Sequence, residues 1–136
     1  MSTTIENLLP HRAPMRWLDS LIECTDTTAR ATVCFCPGHY AVADGRVLET
    51  ALVECIAQTI AAAQGQRARV AVGSGRPSVG MLAAVANFKI HSPPPLNKTL
   101  EIEIRELKKF GPMLLVAGSI SCAGQPVCAG ELTVYA

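Results

Sequence analysis

Glu54 and Gln58 lie four residues apart on one face of an otherwise apolar segment, Val47 to Ala63. That segment has no Pro and no Gly, and apolar residues surround most of its circumference. The pattern predicts a helix buried on nearly all sides. A carboxylate placed there is costly unless it is protonated, paired or employed. His39 stands upstream, in a loop opened by Pro37-Gly38. An imidazole titrates near neutrality and suits a general base. A carboxyl group in an apolar site has its pKa raised and can carry a proton near pH 7. His39 and Glu54 therefore outline a base and an acid, with Gln58 able to orient the carboxyl group. Glu49 is a second candidate for orienting substrate, and with Asp44 it is the alternative acid. His11 reads as fixing an N-terminal turn, and His91, beside Pro93-Pro94-Pro95, as solvent-exposed.

The elements that must hold these groups follow from periodicity and punctuation. Two strand-like runs, Met15 to Glu23 and Ala29 to Phe35, flank the polar turn Thr25-Asp26-Thr27-Thr28. A loop then lasts to about Arg46. The helix is expected from about Leu48 to Gln64, with Gly65 as its stop signal. Gln66 to Ser78, with Arg67, Arg69 and Arg76, reads as a flexible basic connection. Four strand-like runs follow: Val79 to Ile90, Thr99 to Leu107, Met113 to Ser121 and Pro126 to Tyr135. Lys109-Phe110-Gly111-Pro112 and Ala123-Gly124-Gln125 read as hairpin turns. Two strands, one long helix and four strands predict an α+β domain over residues 1–136, an antiparallel sheet wrapped around one helix. One small sheet cannot cover a helix that is apolar all round, so a second copy of the chain is expected to finish the job.

Composition narrows the function classes. The chain has 136 residues, with 12 basic and 11 acidic side chains. That balance argues against a nucleic-acid platform. The long helix is interrupted by Glu54 and Gln58, so no membrane span is expected. The N-terminus shows no basic region followed by an apolar stretch, so a cytoplasmic protein is expected. The 6 cysteines lie in apolar segments without Cys-x-x-Cys spacing, and read as reduced core residues with no metal site.

Four motifs, in order along the chain, resemble the hotdog-fold dehydratases that act on 3-hydroxyacyl thioesters of acyl carrier protein. They are Leu9-Pro10-His11-Arg12-x-Pro14 with Leu18-Asp19; Gly38-His39; Val53-Glu54-Cys55-Ile56-Ala57-Gln58; and Ala86-Asn87-Phe88-Lys89-Ile90-x-x-Pro93. The loop Tyr40 to Arg46 lacks the proline of the common branch. With Met15 and Asp44-Gly45-Arg46, the chain looks more like the dehydratase-like proteins of aryl-polyene lipid clusters. The resemblance implies dehydration of a 3-hydroxyacyl thioester to the trans-2-enoyl thioester, in fatty-acid or polyketide-like lipid biosynthesis. It implies no cofactor, a homodimer or higher oligomer, and sites shared between subunits, with His39 from one and Glu54 from the other. It also suggests a carrier-protein dock, for which Arg67, Arg69, Arg76 and Lys89 are the candidates. Two alternatives stay open: an acyl thioesterase of the same fold, and a non-catalytic subunit paired with an active dehydratase.

Overall fold

A computed structural model describes residues 4–72 and 80–135. A short helix, α1 (Ile5–Leu8), precedes two paired strands, β1 (Ser20–Cys24) and β2 (Thr28–Cys34). A two-stranded ribbon follows, β3 (Val42–Ala43) with β4 (Arg46–Val47). Then come the long helix α2 (Thr50–Val72) and four strands. These are β5 (Met81–Ile90), β6 (Thr99–Phe110), β7 (Met113–Cys122) and β8 (Gln125–Tyr135). The main sheet has six strands in the order β1-β2-β6-β7-β8-β5, every pair antiparallel.

Alternation along the strands decides which face meets α2. Ala29, Ala31 and Val33 of β2 are buried, as are Leu100, Ile102 and Ile104 of β6 and Leu114, Val116 and Ile120 of β7. Leu52, Cys55, Ile56, Ile60 and Ala63 of α2 pack into the same core. Gly118 lets the helix approach: a Cβ there would lie 2.5 Å from Cγ2 of Ile56. This is the α+β arrangement expected, a sheet curled around one central helix.

Several boundaries differ from expectation, each for a physical reason. β1 begins at Ser20, because Met15 to Leu18 is an irregular segment whose backbone is bonded to a helix side chain. α2 does not stop at Gly65 but runs 23 residues to Val72, about 35 Å at 1.5 Å per residue. Gly65 is buried mid-helix because α1 crosses it; a Cβ would lie 2.3 Å from the Leu8 carbonyl oxygen. Gln66 to Val72 is therefore helix, not connection. The expected loop before α2 holds the β3–β4 ribbon, whose tight turn uses Asp44 (φ 53°) and Gly45 (φ 72°). β6 extends to Phe110, leaving Gly111-Pro112 as the turn.

Part of α2 stays uncovered. Val53, Glu54, Ala57, Ala61 and Gln64 form a half-exposed stripe at helical spacing. β5 is an edge strand exposed from Met81 to Asn87. Leu82 and Val85 pair with Val134 and Leu132, so they share the core-side face, yet both remain open to solvent.

Candidate functional site

Gln58 is fully buried on α2, and its amide is oriented by groups of fixed sense. A backbone N–H only donates and a carbonyl only accepts. Gln58 Oε1 accepts from the Trp17 N–H at 2.9 Å and the Leu18 N–H at 3.4 Å. Nε2 donates to the Met15 carbonyl at 2.8 Å, and its other hydrogen goes to Glu54 Oε2, also at 2.8 Å. The irregular Met15–Leu18 segment thus sets the angle at which α2 presents its acid. Glu54 keeps 35% of its side chain exposed within one chain, so the deep burial expected from the apolar pattern is not reached by a single copy.

His11 is the group that sequence reading undervalued. Its Nε2 lies 3.5 Å from the same Oε2 of Glu54. Its Nδ1 is buried without a partner among the described residues. The turn-fixing role falls to Arg12 instead, whose Nη1 donates to the carbonyls of Leu9 and His11 at 2.8 and 2.9 Å. Pro10, His11, Glu54, Ala57, Ala61 and Leu82 are among the residues lining a cleft of about 120 Å³ beside the uncovered stripe.

His39 sits beyond the end of β2, where Gly38 takes a left-handed turn at φ 92°. Its N–H donates to the Cys36 carbonyl at 3.0 Å, and its carbonyl accepts from Val42 at 3.0 Å. The ring is wedged between two aromatics. Its centroid is 4.8 Å from that of Phe35 and 5.5 Å from that of Trp17, both edge-on. Nδ1 accepts from the Ala41 N–H at 2.9 Å. Burial of the ring pushes the imidazole pKa below its ordinary value, while the charge of Asp19 pulls it the other way.

Trp17 touches both candidate groups of one chain: its backbone N–H donates to Gln58 and its ring packs edge-on against His39. The available signal was its being the only tryptophan in a chain poor in aromatics. Among the described residues, no hydrogen bond or ion pair joins His39 to Glu54 within one chain. Glu49 and Asp44 do not join Glu54 either; both are exposed and line a separate groove with Arg46 and Pro93–Leu96. His91 is exposed, as expected.

Among the described residues, Arg67, Arg69 and Lys89 do not form one cluster. Arg67 is committed internally, paired with Glu106 and donating to the Thr25 carbonyl at 2.8 Å. Arg69 is half-buried near the end of α2. Lys89 lies in a groove on the sheet's outer face with Arg30, Glu103, Arg105 and Glu131. Arg76 lies outside the described residues. No cluster of three or more His, Cys, Asp or Glu is placed to ligate a metal among the described residues, and no helix there is long and apolar enough to cross a membrane.

Comparison with known proteins adds a family and a fold. Residues 3–136 match the family model described as ApeP-like, ApeP dehydratase. No curated protein matches the sequence. The chain is similar in structure to the dehydratase heterocomplex ApeI:P from Xenorhabdus doucetiae, with TM-score 0.89 and 24% identity over 99% of this chain and 91% of that one. It is also similar to a hypothetical thioesterase with coenzyme A from Streptococcus pneumoniae, with TM-score 0.66 and 13% identity over 85% and 86% of the two chains. A third is thioesterase superfamily member 2 from Mus musculus, with TM-score 0.65 and 10% identity over 85% and 80%. At these identities the likeness establishes the hotdog fold alone.

Proposed function

The chain belongs to the ApeP-like dehydratase family, and from that premise we propose that it dehydrates a 3-hydroxyacyl thioester to the trans-2-enoyl thioester. The observation that carries the reading is the Glu54 carboxyl group held by a Gln58 amide whose orientation the backbone dictates. Loss of water from such a substrate needs a proton removed beside the thioester carbonyl, a proton delivered to the departing hydroxyl, and a donor for the enolate oxygen. Glu54 and His39 supply these functions, with Gln58 as the positioning residue.

The site is completed by a second subunit. Leu82 and Val85 on the edge of β5, together with the α2 stripe that carries Glu54, form a continuous surface left open by the chain's own sheet. A second copy seated there would desolvate Glu54 and bring a partner His39 into its reach. The acyl group is carried as a thioester, on a carrier protein in the cytoplasm.

A second reading has one observation in its favour. The similar Xenorhabdus structure is a heterocomplex, so this chain could instead serve as one half of a mixed dehydratase. The test is to incubate the purified chain with a 3-hydroxyacyl thioester, following enoyl absorbance and free thiol in parallel. Enoyl formation by the chain alone supports the proposal. Thiol release without enoyl would replace it with a thioesterase. Silence in both channels, lifted by a related subunit, would replace it with the mixed complex.

A further inference from the structure

A contact of fixed sense decides what His39 can do. The Ala41 N–H can only donate, and it lies 2.9 Å from Nδ1, so Nδ1 holds a lone pair there. A neutral imidazole with its lone pair at Nδ1 carries its hydrogen at Nε2. Turning the ring over would set Cδ2 against that N–H and strand a part-buried donor. The Nε2 end, free of the backbone, is then a donor and not an acceptor.

We infer that His39 acts as a neutral Nε2–H donor to the thioester carbonyl oxygen, and that Glu54 alone takes the Cα proton and returns it to the departing hydroxyl. This rests on the dehydratase reading above and inverts the roles that the sequence suggested. In balanced form, an oxygen of the Glu54 carboxylate takes the Cα proton. The C–H electrons form an enolate whose oxygen is held by the Nε2–H of His39. The enolate collapses, the Cα=Cβ bond forms and the Cβ–O bond breaks. The leaving oxygen takes the same proton from the Glu54 carboxyl group and departs as water. Glu54 is again a carboxylate, and His39 has changed no proton.

Two features fit these roles. Protonating His39 at Nδ1 would oppose one N–H to another and charge a ring packed edge-on against Phe35 and Trp17, with the charge of Asp19 as the opposing influence. On Glu54, the Gln58 hydrogen and the Nε2 of His11 both approach Oε2, which leaves Oε1 for the substrate.

The chain has only 3 histidines, so the tautomer can be read directly. Long-range ¹H–¹⁵N correlations on the labelled full chain, with His39→Gln to assign the signal, should show an Nε2–H imidazole at neutral pH. An Nδ1–H pattern overturns the inference whatever the activity. Kinetically, His39→Gln keeps a side-chain N–H without a basic nitrogen and should stay within about tenfold of the parent rate, while His39→Ala loses about 10²–10³-fold. Equal losses in the two variants would restore His39 as the base. The pH profile of kcat/KM should rise to a plateau; an alkaline fall would mean a proton-carrying acid and overturn the role given to Glu54. An Nε2–H tautomer in a chain that forms no enoyl product would sink the dehydratase reading and the catalytic roles with it, leaving the tautomer standing.

Discussion

Gln58 Nε2 donates to Glu54 Oε2 at 2.8 Å, and the same amide is gripped from the other side by the backbone of Met15 and Trp17. The acid of α2 is therefore set by a segment some forty residues away in the chain, and position 58 is where fold and site meet. Gln58→Leu keeps the size but leaves the Trp17 N–H and the Met15 carbonyl without their partner. Each unsatisfied group costs about 1–3 kcal/mol, so a loss on the order of 3 kcal/mol is expected from urea unfolding. Enoyl formation should fall as well, because Glu54 loses its anchor. An unchanged unfolding midpoint would mean that water replaces the amide, and that Gln58 does not position the acid.

Gly65→Ala sets two effects against each other. Alanine in a helix interior is better than glycine by about 1 kcal/mol. Here its Cβ would meet the Leu8 carbonyl oxygen at 2.3 Å, and that oxygen is backbone, not a flexible side-chain end. Overpacking of this kind costs about 1–3 kcal/mol, so the steric term wins and the variant should be less stable. Because α1 leads directly into Pro10-His11, the shift should also move His11 away from Glu54. Denaturant unfolding checks the first effect, and the histidine resonances check the second. A variant more stable than the parent would show that α1 does not cross α2 this closely.

His39 should leave a signature in the dependence of stability on pH. Its folded-state pKa is lowered, chiefly by burial. The unfolded chain then binds more protons than the folded one in the window just below the ordinary histidine value of about 6.5. Stability contributed by the neutral ring is present above that value and lost as pH falls through the folded-state pKa. Thermal unfolding of the parent should therefore rise more steeply with pH between about 5 and 7 than that of His39→Gln, which has no proton to bind. Parallel curves would remove the case for a desolvated imidazole at this position.

The parts of this protein legible in its sequence are those governed by periodicity and by local punctuation. Alternation along Leu100 to Arg105 and the prolines at 93–95 place the start of β6 at Thr99 and the loop before it, while its end lies three residues beyond the expected Leu107. The spacing of Glu54 and Gln58 is itself the contact that the helix makes. Other features depended on tertiary neighbours. Gly65 reads as a helix stop because nothing local reveals that Leu8 lies against it. His11 reads as a turn residue because its approach to Glu54 spans 43 positions. The sense of the His39 hydrogen bond was hidden too, since it depends on how the chain curls from Gly38 to Ala41. Arg67 reads as part of a basic connection because its pairing with Glu106 spans 39 positions.

The edge of β5 carries the last expectation. Leu82 and Val85 share the core-side face with Val134 and Leu132 but keep about 45% and 43% of their surface exposed, beside the half-covered stripe of α2. An apolar edge strand with unpaired backbone groups calls for a partner. Val85→Lys places a charge on that face, on an edge strand that pairs with β8 alone. Far-ultraviolet circular dichroism should be unchanged. Sedimentation at micromolar concentration should show a dimer for the parent and a monomer for the variant. A site shared between subunits predicts that enoyl formation vanishes with the dimer. A Val85→Lys variant that remains dimeric and active would place the subunit contact elsewhere; a monomeric variant with full activity would sink the shared site itself.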